Sequence, residues 1–340
     1  MTKVAISLQD SVMVLGAATS SADAQTLELL GLTPQTLPWQ GKQLATAFVA
    51  PPAGGQPLAE RLVWLLEQLL QQSGAVEQQQ VYLILPEQAG ADDSSLNAFL
   101  QLLMQRLPTL LMSPGCRVFP YGSAGALMAL NAAAQHFEQC QQHSAQTQVP
   151  SAAGGKVSAQ VWLVAVDSLA HDSVLDRYAA LDSSAVVLSE GAIALCIAAD
   201  SNGNSMLFHA ADASPGAMPE QDHAIGNLFL QLATQVTQPL SQLYLPDCGD
   251  EQQSSRWLLQ YASLHGGVDV DSELVFPAYA CGELGSCGGL YRLWHLLSRL
   301  QRNDITGLTA QLEISARQYR ALTLFSPSKT GSDYLVNKDV

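Results

Sequence analysis

Two stretches carry residue types and spacings that could do chemistry. In Tyr121-Gly122-Ser123-Ala124-Gly125 a serine sits in a small-residue turn. The turn lies between a short apolar run, Arg117-Val-Phe119, and a helical pattern of Ala126, Leu127, Leu130, Ala134 and Phe137. A serine at a helix amino terminus is a nucleophile if a base lies within reach, and a carboxylate serves as that base when its pKa is raised. The plainer reading of the same serine is a small residue at a tight turn or a helix cap. In Cys281-Gly-Glu-Leu-Gly-Ser-Cys-Gly-Gly289, Glu283 lies between glycines just before a helix over 290–301. It either faces a pocket or complements the positive end of that helix.

The remaining reactive side chains read as structural. The six cysteines, at 116, 140, 196, 248, 281 and 287, include no Cys-x-x-Cys pair. Cys248, Cys281 and Cys287 therefore read as small core residues, not metal ligands. His171, flanked by Asp167 and Asp172, reads as a loop histidine, and the other histidines have no metal-ligand spacing. Nothing in the pattern calls for a metal or a cofactor. Arg292, His295, Arg299 and Arg302 recur at i, i+3, i+7 and i+10, opposite Leu290, Leu293, Trp294 and Leu297. Such a stripe docks an acidic partner or is the solvated face of an amphipathic helix.

These residues need a frame. Apolar spacing predicts helices over 58–70, 96–107, 126–137, 228–236, 254–264 and 290–301. Short apolar runs predict strands at 81–85, 117–119, 160–167, 192–199, 206–210, 243–245, 274–276, 307–314 and 319–325. Residues 140–155 lack periodicity and read as a surface loop, and Asp200-Ser-Asn-Gly-Asn reads as the turn joining two strands. Alternating strands and helices make the class α/β. The turn-plus-helix at Gly122–Phe137 has a counterpart at Gly282–Leu297.

Composition narrows the partners. The chain has 340 residues, 48% apolar and 13% charged, which excludes a disordered protein. Fifteen Lys and Arg against 30 Asp and Glu give a net charge of −15, which argues against nucleic acid and anionic membranes. Residues 1–250 hold 7 basic and 21 acidic residues, and 251–340 hold 8 and 9. A positive patch is therefore expected in the last quarter. The start of the chain has no signal-peptide core and no apolar run reaches the roughly 18–20 residues of a membrane span, so a cytoplasmic protein is expected.

Four segments in order resemble the thiolase fold and, within it, the β-ketoacyl synthases. Phe119-Pro-Tyr-Gly-Ser-Ala-Gly-Ala-Leu-Met-Ala-Leu130 is similar to the family's nucleophile elbow. Val164-Ala-Val-Asp-Ser168 followed by Leu188-Ser-Glu-Gly-Ala-Ile-Ala-Leu195 is similar to its Asp-Ser and Glu-Gly-Ala segments. Tyr244-Leu-Pro-Asp-Cys-Gly-Asp250 resembles the region of its first catalytic histidine, and Ala280–Leu290 its Asn-x-Gly-His-x-x-x-Ala-x-Gly motif.

The resemblance, which covers about residues 58–325, implies a five-layer αβαβα core of two pseudo-repeated halves, 1–158 and 159–340, and a homo- or heterodimer. Fatty-acid or polyketide metabolism follows, with an acyl carrier protein or acyl-coenzyme A as ligand and an active ketosynthase as partner. Gly122, Gly282 and Gly285 would line the substrate site, and Arg292, Arg299 and Arg302 would dock the carrier protein.

The family's chemistry does not carry over. The nucleophile position falls on Gly122 or Ser123, depending on a one-residue register, and the first histidine near Pro246 or Asp247. The second histidine falls on Glu283 and the lysine on Ala278. The late glycine-rich oxyanion loop has no clear match at Leu324–Gly331. A thiolate–imidazole mechanism cannot run on these residues. Three readings remain: a synthase-like subunit without condensing activity, comparable to a chain-length factor; an acyltransferase or hydrolase on Ser123 with Asp247, Asp250 or Glu283 as base; and a scaffold that keeps only the fold.

Overall fold

The computed structural model describes residues 4–328 apart from 19, 53–55, 77–78, 88–93, 114, 147–158, 182–185 and 215–221. Its first half runs β1 (Val4–Leu15), α1 (Ser21–Leu30), β2 (Gln35–Trp39), β3 (Lys42–Ala47), α2 (Leu58–Gln72), β4 (Gln80–Ile84), α3 (Ser94–Arg106), α4 (Pro108–Met112), β5 (Arg117–Phe119), α5 (Ala124–Gln146), β6 (Gln160–Ser168), α6 (Asp172–Ala180) and β7 (Leu188–Ala199). The second runs β8 (Asn204–Ala213), α7 (His223–Ala233), β9 (Gln242–Tyr244), α8 (Glu251–Leu258), β10 (Glu273–Val275), α9 (Ala278–Cys281), α10 (Cys287–Gln301), β11 (Thr309–Ile314) and β12 (Tyr319–Ser326).

The strand order contains the same arrangement twice. In β5-β4-β6-β7-β1 the successive neighbours are parallel, parallel, antiparallel and antiparallel. In β10-β9-β11-β12-β8 they are the same. The two sets meet where Val4–Ile6 of β1 pairs with Asn204–Met206 of β8. This pairing puts β6 and β7 with the first set. The two sets therefore divide at the 200–203 turn and not at 158/159.

Strand alternation sorts the core into layers. Val81, Leu83, Trp162, Val164, Ala192 and Ala194 face α2, α3 and α4. Their alternates Tyr82, Ile84, Leu163, Ala165, Ile193 and Leu195 face α5 and α10. Across those two helices, Ala321 of β12 meets Ala124 and Leu127, and Tyr244 and Phe325 meet the same central core. The far face of the second set, with Leu243, Ala310, Leu312, Leu322 and Leu324, packs on α7. Helix, sheet, helix pair, sheet, helix is the five-layer αβαβα order expected.

Three local readings are corrected. Residues 140–146 continue α5, and the rest of the expected 140–155 loop lies outside the described residues. The 200–203 turn exists, with Gly203 N–H donating to Asp200 O at 2.8 Å, but β7 and β8 are not hairpin partners because β1 lies between them. β1, the β2–β3 hairpin and α6 had no counterpart in the sequence reading. Among the described residues no helix is long and apolar enough to cross a membrane.

Candidate functional site

Both central helices begin at turns whose glycines have left-handed backbones, and the two turns share one cavity of about 430 Å³. That volume is toward the small end of ligand pockets, which span about 300–1,000 Å³. Gly122, Ser123, Glu283, Gly285 and Arg292 all line it. Asp247 and Gly282, both expected there, do not.

At the α5 turn Gly122 and Ser123 differ in backbone. Gly122 has φ +61°, and its missing Cβ would come within 2.9 Å of Ser315 Oγ. The left-handed position, which favours glycine, is thus Gly122 and not Ser123. Ser123 follows it, buried, with its hydroxyl donating to the Ile314 carbonyl at 3.1 Å. That hydroxyl does not cap α5. Ser315, from the β11–β12 loop, accepts from Ala124 N–H at 3.0 Å in its place.

The α10 turn is built around Asp167 at the end of β6. One carboxylate oxygen accepts from the Ser286 N–H at 2.7 Å and the Ser286 hydroxyl at 2.9 Å, and the other from Ser168 N–H at 2.8 Å. Gly285 has φ +56°, and a Cβ there would lie 2.1 Å from Asp167 Oδ2. Burial pushes the Asp167 carboxyl up to about 6, against the pull of the Ser286 and Ser168 hydrogen bonds, with the nearby Glu283 charge adding to the rise. Glu283 is also raised by burial. The Arg292 charge, the Cys248 thiol and the Gly285 N–H pull it down, and Asp250 pushes it up. Its backbone bridges to the edge of β7, through Glu283 N–H to Val187 O at 2.8 Å and Ser189 N–H to Glu283 O at 2.9 Å. Gly282, at φ +78°, backs onto the Val187 carbonyl and not onto the cavity.

The raised carboxyls have a pH consequence. An ordinary aspartate titrates near 3.9, so Asp167 binds its proton more tightly in the folded chain than in the unfolded one. The stability this confers is present below about pH 4 and is lost as pH rises toward about 6. Thermal melts of wild type and Asp167→Asn at pH 4, 5, 6 and 7 will show the difference moving in favour of the variant as pH rises. A pH-independent difference would contradict the assignment.

The carboxylate that the Tyr244–Asp250 segment brings to the cavity is Asp250, not Asp247. Asp250 caps α8, accepting from Gln252 N–H at 2.9 Å and Gln253 N–H at 3.3 Å. Asp247 points elsewhere and holds Gly249 N–H, Trp257 Nε1–H and the Tyr279 hydroxyl.

The basic stripe on α10 is corrected, because its first half is buried: Arg292 and His295 are buried, Arg299 is half-buried, and Arg302 alone of the four is exposed. Arg292 is 4% exposed and gives two hydrogen bonds to fully buried Glu313. His295 lies between Glu28 at 3.2 Å and the Tyr244 hydroxyl at 3.0 Å. Arg299 reaches Gln242 and Tyr244, both at 3.4 Å, and Arg302 pairs with Asp304 at 2.8 Å. Arg177, Arg256 and Arg317 are the cations that line the cavity alongside Arg292. They come from α6, α8 and the β11–β12 loop, so no sequence spacing could have grouped them. His171, read as a loop residue, also reaches the cavity, where burial lowers its pKa.

Cys281 and Cys287 are buried in the central core, and burial raises both well above an ordinary thiol. Among the described residues no group of three or more His, Cys, Asp or Glu side chains could hold a metal ion.

No family profile and no curated protein sequence matches the chain. Solved structures do match in shape. The ishigamide ketosynthase/chain length factor superposes with a TM-score of 0.61 at 13% identity, over 95% of this chain and 99% of that one. A ketosynthase domain of the oxazolomycin system of Streptomyces albus gives 0.65 at 10% identity, over 95% and 74%. A ketosynthase in complex with its chain length factor, from Xenorhabdus doucetiae, gives 0.57 at 10% identity, over 95% and 98%. The chain therefore has the thiolase fold, in the form built by ketosynthases and chain length factors.

Proposed function

We propose that this protein is a ketosynthase-like subunit of fatty-acid or polyketide type metabolism that does not condense. It binds an acyl group and pairs with an active ketosynthase in the cytoplasm, as a chain-length factor does. The observation that carries the reading is the site itself, in which the α5 turn brings Gly122 and Ser123, and no cysteine, to a cavity they share with Asp167 and Glu283. Neither turn residue offers a thiol to acylate, and Glu283 supplies no imidazole N–H. The solved structures of similar shape include ketosynthases with chain length factors and one bound to its acyl carrier protein. Those partners are the ones proposed here, in a homo- or heterodimer.

The rival reading, an acyltransferase or hydrolase on Ser123, needs a base that takes the hydroxyl proton. That proton is given to a backbone carbonyl, Ile314 O, which is not a base. Mass spectrometry after incubation with acyl-coenzyme A is therefore expected to detect no adduct. An adduct lost in Ser123→Ala would overturn the proposal. Affinity purification from the source cell is expected to recover a ketosynthase or an acyl carrier protein. Recovery of neither, with no bound acyl compound, would leave the scaffold reading in its place.

A further inference from the structure

We propose that the buried Arg292–Glu313 ion pair is the stop at the inner end of this cavity, and that it denies a ligand any gain in affinity from a longer alkyl chain. This rests on the acyl-binding reading and adds how the site responds to chain length.

Arg292 is where the cavity meets the core. It lines the cavity, yet only 4% of its side chain is exposed, and Glu313 has none exposed. Arg292 Nε–H donates to Glu313 Oε1 at 2.7 Å, and Nη2 donates to the other oxygen. Gln311 braces the pair from behind, its amide donating to Glu313 Oε1 at 2.8 Å and to Gly289 O at 3.0 Å. Gly288 makes room for the guanidinium, since a Cβ there would lie 3.2 Å from both of its terminal nitrogens.

A second route inward, between α5 and α10, is closed. Gly289 lies so near α5 that a Cβ would come within 2.2 Å of the Ser123 carbonyl. Leu127, Leu130, Leu290 and Leu293 beyond it are fully buried. On these two lines, among the described residues, an alkyl chain growing inward meets no apolar channel. It meets a dry ion pair, and parting that pair strands two charges away from water. What the cavity offers near its inner end is polar: Asp167, Glu283 and Ser286. The ligand gains from hydrogen bonds there and not from added methylenes.

Calorimetric titration of the full chain with butanoyl-, octanoyl- and dodecanoyl-coenzyme A tests this. Butanoyl-coenzyme A is expected to bind, and the Kd is expected to change by less than about threefold up to dodecanoyl. An apolar channel would instead tighten binding by about fourfold per buried methylene. In Arg292→Met/Glu313→Leu, dodecanoyl-coenzyme A is expected to bind at least about tenfold more tightly than butanoyl-coenzyme A, because apolar replacement of a buried pair is usually tolerated. Stepwise tightening in the wild type overturns the stop and leaves acyl binding standing, and a folded double variant that stays flat overturns the stop as well. Binding of none of the three overturns the acyl reading itself. The wild-type series decides the matter without the variant.

Discussion

Glu190→Ala is expected to destabilise the protein by about 3–5 kcal/mol, the cost of stranding one partner of a buried ion pair. Glu190 is fully buried and Arg61 is 4% exposed. Arg61 reaches the carboxylate twice, at 2.6 and 2.7 Å, and Ser168 and Val49 donate to it at 2.6 and 2.8 Å. These contacts tie α2, β7, the end of β6 and the segment after β3 to one carboxylate. Removing it leaves a hydroxyl and a backbone N–H without these acceptors in the interior, and a buried guanidinium without its counter-charge, held only by Gln56 Oε1 and the Ala50 carbonyl. Arg61→Met/Glu190→Leu removes both charges and is expected to recover part of the loss. The remainder belongs to Ser168 and Val49, at about 1–3 kcal/mol for an unsatisfied buried group. Denaturant unfolding of the single and double variants measures both. A loss below about 1 kcal/mol for Glu190→Ala would contradict the geometry.

Gly289→Ala is the second large effect. Alanine in place of a helical glycine ordinarily gains up to about 1 kcal/mol. Here the new methyl would sit 2.2 Å from the Ser123 carbonyl, just before α5, and 3.0 Å from the Ala126 Cβ. Neither neighbour is the free end of a flexible side chain, so the helices must part. Overpacking of this kind costs about 1–3 kcal/mol and occasionally more, which outweighs the helical gain. Gly288→Ala is the internal control. The nearest atoms to its methyl would be those of the Arg292 guanidinium, a side-chain end at 3.2 Å, and its effect is expected to be milder. Thermal melts that rank the two the other way would contradict the helix contact.

Much of this architecture is legible in the chain itself. The alternation of strands and helices, the two small-residue turns and the helices after them all appear where the spacing puts them. What escaped did so for identifiable reasons. β1 carries Gln9, Asp10 and Ser11 across a register shift in its pairing with β7, which breaks the period-2 signal. The α10 stripe has helical spacing, but spacing does not say whether a polar residue faces water or a buried partner. Glu313 and Glu28, which pair with Arg292 and His295, come from remote parts of the chain. Gly122 and Ser123 were indistinguishable by type, and the backbone angle separates them. Asp250 takes the cavity position because it caps α8. Asp247, three residues earlier, is taken up by Trp257 and Tyr279.

The position of β1 also bears on how the chain folds during synthesis. Ile6 pairs with Ala199 and Leu15 with Gly191. The residues of β1 leave the ribosome first among the described strands, yet their partners on β7 follow about 180 residues later; at about 5–20 residues per second that is a wait of about 10–40 s. Met13, Val14 and Leu15, all buried in the finished protein, have no β7 to cover them through that interval. Non-local pairing of this kind slows folding, and the nascent first half stays open at one edge until β7 closes it.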